Sequence, residues 1–325
     1  MKKTRNQILK KIKEYDSIII LGHQRPDGDC VGSTLGLKDI LTTSFPKKKI
    51  YAPANDSVSY LDFLKPRDEE LKPEIYQESL VIVLDTATKE RIDSKYFHLA
   101  KETIKIDHHL PVDDYADINF VDVTAPATAQ IIVDLFLYPP KNLKMEREGA
   151  EALFTGIVTD TGRFKYSNVR SQTLNAASLL LDYDIDFEKI YNALYLKDSE
   201  VLKLEGYLYL NFKTTENGVA YFYIDKKIRK QYNITIEDAA SLVNCLDSIK
   251  GSLIWVLFVE QDDSTIRTRI RSRYVSIDDI ANNYRGGGHK QASGATLLKE
   301  KEIDLILEEL DIRLKEFKEE NGGLM

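Results

Sequence analysis

Residues 103–111 read TIKIDHHLP, an apolar run that stops on an acid and two adjacent histidines. Ile104 and Ile106 alternate with Lys105, the pattern of a half-buried strand that ends at or just past Asp107, His108 and His109. Working outward, three more stretches end in the same chemistry. The run 17-SIIIL-21 leads into 22-GHQRPDGDCVGS-33, where His23, Asp27 and Asp29 crowd a loop that opens a helix. The run 80-LVIVLD-85 ends in Asp85, and the helix-like 152-ALFTGIVTD-160 ends in Asp160. Alone, each has a plain structural explanation: Asp29 reads as a helix cap, Asp85 as an ordinary strand-end acid, and Asp160 as part of a helix stop. Together they do not.

Strand-like runs at 17–21, 49–52, 80–85 and 103–107 alternate with helix-like ones such as 31–44, which predicts a mostly parallel α/β sheet flanked by helices. Ligands of such sheets bind outside the carboxyl ends of the strands, so all four clusters point to one crevice. Four aspartates and two or three histidines in one crevice repel without a cation, and their charge of about -4 matches two divalent ions. Carboxylate with imidazole suits an ion such as Mn²⁺. His98 has no acidic company and reads as structural, and Cys30 reads as packing at the start of its helix.

The chain of 325 residues is 43% hydrophobic and 30% charged, with a net charge of -7. That balance argues against a long duplex-binding surface but leaves room for short substrates held by a few arginines. Cys30 and Cys245 lack the spacing of a disulfide framework or zinc knuckle. The N-terminal stretch reads as an amphipathic helix with Ile8, Ile12 and Tyr15 on one face, and no apolar run approaches a membrane span. A cytoplasmic location is expected. The oligomeric state, monomer or homodimer, stays open.

Helical patterns at 146–162 and 171–183 follow the first sheet, then a largely helical bridge. The expected division is a catalytic domain over 1–185, a helical linker over 186–211 and a smaller α+β domain over 212–321, with a frayed 319-EENGGLM-325. In the last domain 264-STIRTRIRSRY-274 puts Arg267, Arg269, Arg271 and Arg273 on one strand face and Ile266, Thr268 and Ile270 on the other. After it comes 285-RGGGHKQASGAT-296, whose three glycines let the backbone approach a ligand closely and expose N–H groups as an anion nest, with a tight glycine loop as the plainer alternative.

The segments GHQRPDGDCVGS, LDTAT, DHH and VTDTGRF, in that order, with the later RSR at 271–273 and GGGHKQASGA at 286–295, resemble the DHH phosphoesterase superfamily with its DHHA1 companion domain. The match spans nearly the whole chain and is most similar to the stand-alone bacterial branch of bifunctional oligoribonucleases and pAp phosphatases. The resemblance implies that His23, Asp27 and Asp85 hold one metal ion, and that Asp29, His108, Asp160 and the shared Asp85 hold the other. It implies a second-sphere role for Asp107 in orienting a ligand histidine, and proton delivery to the leaving oxygen by His109; with Asp85 these carry the catalysis. It implies substrate binding by Arg271, Ser272, Gly287, Gly288 and His289, to which the first loop adds Arg25.

The implied reaction is hydrolysis by an activated water, with no covalent enzyme intermediate. The implied substrates are RNA of two to five nucleotides and 3′,5′-bisphosphoadenosine (pAp), without long duplex nucleic acid or membrane. Two other readings stay open: a phosphodiesterase for pApA or cyclic di-AMP, and a non-catalytic nucleotide-binding regulator. The filled ligand positions weigh against the regulator. The GGGH region weighs against an inorganic pyrophosphatase, and the absence of extra nucleic-acid-binding domains against a processive exonuclease.

Overall fold

The structure, a computed structural model, describes residues 2–56, 58–138 and 142–322. Two compact units divide the chain between Leu196 and Lys197. The first is built on five strands: β1 (Ser17–Leu21), β2 (Lys49–Tyr51), β3 (Leu80–Leu84), β4 (Glu102–Asp107) and β5 (Ile118–Val121). They lie in the order β2-β1-β3-β4-β5 and every pairing is parallel. Parallel strands need crossovers, and these are supplied largely by helices. The helices are α1 (Lys2–Glu14), α2 (Gly28–Ser44), α3 (Pro73–Glu78), α4 (Thr128–Phe136), α5 (Arg147–Asp160), α6 (Ser171–Leu181) and α7 (Phe187–Tyr195).

Both faces of this sheet are covered. Ile18, Ile20, Ile82, Ile104 and Ile106 meet residues of α1, α2, α4 and α5 in one core, and Ile8 and Ile12 anchor α1 there. Ile19, Leu21, Val81 and Val83 meet Tyr76, Ile92 and Phe97 on the other face. This double cover corrects the expectation for β4: its strand is not half-buried, and Lys105 has no exposed surface. A central parallel strand has no solvent side to give it.

The contact between α2 and α5 sets the site. A Cβ at Gly32 would lie 2.8 Å from the backbone nitrogen of Gly156, and one at Gly156 would lie 2.7 Å from Cβ of Ala129. Only hydrogen fits at these positions, so the helix backbones approach closely and the start of α2 meets the end of α5.

The second unit opens with α8 (Ser199–Asn211) and continues through β6 (Lys213–Thr214), β7 (Ala220–Ile224), α9 (Lys226–Tyr232), α10 (Ile236–Ser241), β8 (Ile254–Glu260), β9 (Ile266–Ser272), α11 (Asp278–Asn283), β10 (Gly287–His289), β11 (Ala292–Leu297) and α12 (Lys301–Glu320). Its six-stranded sheet has the order β10-β11-β9-β8-β7-β6, antiparallel except for β7 with β8. Ile254, Val256, Phe258, Ile266 and Ile270 pack with residues of α11 and α12. Trp255, Leu257 and Val259 pack on the opposite side with residues of α8 and α10. Helix α12 holds through Glu320, so the first two residues of the stretch expected to fray are helical; residues 323–325 lie outside the described residues. Among the described residues no helix is long and apolar enough to cross a membrane.

Candidate metal centre and active site

In the first sheet β1 has β2 on one side and β3 on the other, so the chain reverses its direction of travel across the sheet there. Open α/β sheets bind ligands at such a switch, outside the carboxyl ends. His23 follows β1, Asp85 follows β3 and Asp107 closes β4.

Nε2 of His23 lies 3.6 Å from Oδ2 of Asp85 and 3.8 Å from Oδ1 of Asp27. Its Nδ1 lies 3.0 Å from the Gln24 carbonyl, which favours the tautomer that donates there and leaves Nε2 as the ligand-facing atom. Asp27 caps α2 by accepting the N–H groups of Asp29 and Cys30. Asp29 is fully buried and accepts the N–H groups of Thr128 at 2.6 Å and Ala129 at 2.8 Å. Those are orphan donors of the first turn of α4, whose own N-cap, Ala127, supplies no side-chain bond.

Asp85 has a left-handed backbone, φ 54°, a conformation that costs an L-residue about 1–2 kcal/mol and that aspartate tolerates better than most. Its N–H donates to Ile106, extending the β3–β4 ladder by a residue, and its Oδ1 accepts the Thr128 hydroxyl at 3.1 Å. Nε2 of His108 lies 3.3 Å from Asp160, 3.4 Å from Asp85 and 3.9 Å from Asp29. The structure thus brings His23, Asp27, Asp29, Asp85, His108 and Asp160 to one place, with Asp85 between the two histidines.

The charges confirm how crowded this place is. Burial raises the carboxyl of Asp29, and the charges of Asp85 and Asp160 raise it further. Asp160 is raised by burial, then by Asp27 and Asp85. Burial also pushes against ionised Asp85, but hydrogen bonds from His108 and His23 outweigh it and hold its pKa well below the usual carboxylate range. Burial would lower both imidazoles, yet the surrounding acids win: His23 is raised, and His108 is pushed up to about 10.

Among the described residues, three sets of potential ligand atoms lie within 4.8 Å of one another: Asp29 with His108 and Asp160; Asp85 with His108 and His109; and His23 with Cys30 and Asp85. Oxygen and imidazole donors in this density fit divalent cations. Cys30 is buried, its Sγ accepts the His23 N–H at 3.3 Å, and burial pushes its thiol up. It packs at the start of α2 as expected, but closer to the ligands than its sequence position suggests.

Asp107 is also fully buried. Its Oδ1 accepts the N–H groups of His108 and His109 and lies 2.8 Å from Nδ1 of His109. This refines the expectation that Asp107 orients a ligand histidine. The ring it grips belongs to His109; His108 contributes only its backbone N–H, although the two rings lie close, with centroids 4.5 Å apart.

The comparisons with known proteins bear on this geometry. The DHH family, N-terminal domain, matches residues 17–157, and the DHHA1 domain matches residues 216–316. The chain is 39% identical to the bifunctional oligoribonuclease and PAP phosphatase NrnA of Bacillus subtilis, over 96% of this chain and 99% of that protein. The chain belongs to the DHH family. It is also 34% identical to the protein of the same name in Mycoplasma pneumoniae, over 92% of this chain and 93% of that one. A crystal structure of an exopolyphosphatase-related protein from Bacteroides fragilis superposes with a TM-score of 0.88 at 25% identity, covering 97% of this chain and 98% of that one.

In the DHHA1 unit Arg267, Arg269 and Arg271 share one face of β9, as the alternation predicts, in register with Val259, Leu257 and Trp255 of β8. Arg267 pairs with Glu237. Arg271 donates to the carbonyls of Ile270 and Ser293. Nε of Arg269 is buried with no hydrogen-bond partner among the described residues, and burial with the like charges of its two neighbours lowers its pKa to about 10.

Three expectations for substrate residues meet a different structure. Gly287, Gly288 and His289 form an edge strand, β10, rather than a loop; Gly288 has φ 141°, and a Cβ there would lie 2.6 Å from the Ala292 carbonyl. Ser272 is buried and its hydroxyl donates to the Val275 carbonyl, which fixes the turn after β9. Arg25, with φ 54°, lines a cavity with Asp56, Glu70, Glu90 and Asp93, company that suits a cation and disfavours a phosphate.

Two residues escaped the sequence reading: Thr128, which bonds both Asp29 and Asp85, and Lys105. The missing cap before α4 was a signal for the first, and a lysine within a central parallel strand was a signal for the second.

Proposed function

We propose that this chain is a metal-dependent phosphoesterase that hydrolyses RNA of two to five nucleotides to mononucleotides and removes the 3′-phosphate of pAp. The observation that carries the reading is the convergence of four aspartates and two histidines on one crevice, in a chain whose DHH-family relatives are named for those two activities. His23, Asp27 and Asp85 would hold one divalent ion, and Asp29, His108, Asp160 and Asp85 a second, with Mn²⁺ the expected metal. Bound there, such ions supply Lewis acidity: they ease deprotonation of water and offset charge on the phosphoryl oxygens.

The chain's own residues do the rest. Thr128 and the first N–H groups of α4 hold Asp29 and Asp85 in their ligand orientation. Asp107 fixes His109 through Nδ1, which orients the ring so that Nε2 is the nitrogen turned to proton transfer at the leaving 3′-oxygen. Arg271, beside Arg269 on the same strand face, takes a phosphate of the substrate, to which a guanidinium gives bidentate contacts. The backbone at Gly287 and Gly288 lets that phosphate approach, and His289 offers a ring to a base. Ser272 positions the Arg271 strand end and is not itself a ligand, and Arg25 is left out of the substrate contacts. Both cysteines are free and buried, which suits work in the reducing cytoplasm.

The test is release of AMP from pAp, and of mononucleotides from 5′-phosphorylated RNA of two to five nucleotides, before and after chelation and after Mn²⁺ is restored. Turnover of both that vanishes and returns with the metal supports the reading. Turnover of pApA or cyclic di-AMP with little of either would reassign the substrate, and turnover that survives chelation would overturn the metal assignment.

A further inference from the structure

Lys105 lies on β4 between Val83 of β3 and Asn119 of β5, with no exposed surface. An ammonium in that position is costly to desolvate, and packing alone would be served by valine or isoleucine. What surrounds it is specific. Nζ donates to the carbonyl of Ala87 at 2.9 Å and to that of Asp113 at 3.0 Å, in the loops that follow β3 and β4. It stands 4.9 Å from the ring centre of Tyr115, whose hydroxyl donates to the Thr86 carbonyl.

It also faces Oδ2 of Asp107 at 3.4 Å, a buried carboxylate oxygen with no hydrogen bond among the described residues. The other oxygen of that carboxylate grips the ring of His109. A buried carboxylate oxygen that loses the cation beside it is left uncompensated, and the group reorients or takes up a proton.

We propose that Lys105 is a positioning residue for the phosphoester reaction: its buried ammonium fixes the Asp107 carboxylate and, through it, the ring of His109. The chain of contacts runs from Nζ of Lys105 through Oδ2 and Oδ1 of Asp107 to Nδ1 of His109, and ends on the group assigned to the leaving oxygen. The same ammonium ties down the loops on either side, so the strand ends that carry Asp85 and His109 are held from behind by one charge. This rests on the phosphoesterase reading for its kinetic consequence, but not for the contact itself.

The test compares the full-length wild type with Lys105→Met, and with Lys105→Gln, which keeps donors for the two loop carbonyls while removing the charge. Proton NMR of the metal-free wild type should show a slowly exchanging, downfield Nδ1 proton of His109. That signal should be lost in either variant while the melting curve stays cooperative. With Mn²⁺ and pAp, kcat should fall about 10- to 100-fold, the range for outer-sphere partners, with KM and Mn²⁺ affinity unchanged. Combining the variant with His109→Ala should cause little further loss. Full additivity with His109→Ala, a rise in KM alone, or a His109 proton that exchanges freely in the wild type would each overturn the proposal. If the wild type hydrolyses no phosphoester, the phosphoesterase reading fails, and the His109 resonance still decides whether Lys105 fixes that ring.

Discussion

The two sheets of this protein present chemistry in opposite ways. The parallel sheet of the first unit is covered on both faces, so its functional groups collect at the carboxyl ends of strands, buried and crowded enough to shift one another's protonation. The mostly antiparallel sheet of the second unit displays its groups along a face, one arginine every second residue on β9. A parallel sheet concentrates opposed charges around a point and suits metal chemistry; a half-buried strand face spreads like charges along a line and suits an extended polyanion. Each prediction below asks whether the two regions separate as cleanly in function, with the first unit governing turnover and the second governing binding.

The largest effect is expected at Asp85, which both histidines contact. Asp85→Ala should lower kcat by at least about 10³-fold, beyond the 10- to 100-fold typical of a residue that only supports a ligand, while the secondary structure by circular dichroism stays intact. A variant retaining a tenth of wild-type turnover would break the comparison. His109→Ala should cost about 10²-fold in kcat with KM unchanged, the size of a lost general acid, read from steady-state rates on pAp. Arg271→Ala belongs to the other side: KM should rise about tenfold, roughly one charge-assisted hydrogen bond, and equally for pAp and dinucleotides. Loss of neither activity would remove the second unit from substrate binding. His289→Ala should raise KM by a smaller factor in the same assay.

The smallest effect is on stability, and its sign follows from the crowded acids. In the metal-free protein His108 is raised from 6.5 to about 10, so the stability it contributes is fully present below pH 6.5 and lost as pH rises through 10. Asp29 and Asp160, raised by burial and then by nearby carboxylates with Asp85 among them, act in the same direction: the fold loses stability as pH rises above the ordinary carboxylate range toward their raised values. The melting temperature without metal should therefore fall as pH rises from 6.5 to 10. The stabilisation gained from added Mn²⁺ should grow over that window, measured by scanning calorimetry. A metal-free melting temperature that rises there would contradict the electrostatic account.

The comparison also explains what the sequence made legible. Strand-end acids announce themselves because an apolar run such as 80-LVIVLD-85 has a single polar residue at its end, and six predicted metal-site residues are brought together in the fold. The arginine face was equally visible through its alternation. Lys105 was misread because an alternating strand looks half-buried when read alone; only the neighbours on both sides, β3 and β5, remove its solvent. β5 itself, 118-INFV-121, is short and flanked by acids, and gave little to read. The GGGH segment was taken for a loop because three glycines suggest freedom, whereas the fold uses them for close strand contact. For Thr128 the apolar cap position Ala127 shows only that the first turn of α4 needs an outside partner; that Asp29 supplies it depends on the long-range meeting of α2 with α4.

The most direct test of the central claim is a crystal of the wild type soaked in Mn²⁺, with anomalous diffraction collected at the manganese edge. Two strong peaks per chain are predicted, one among His23, Asp27 and Asp85 and one among Asp29, His108, Asp160 and the same Asp85. A single peak, or peaks away from Asp85, would contradict a shared two-metal centre at the ends of these strands.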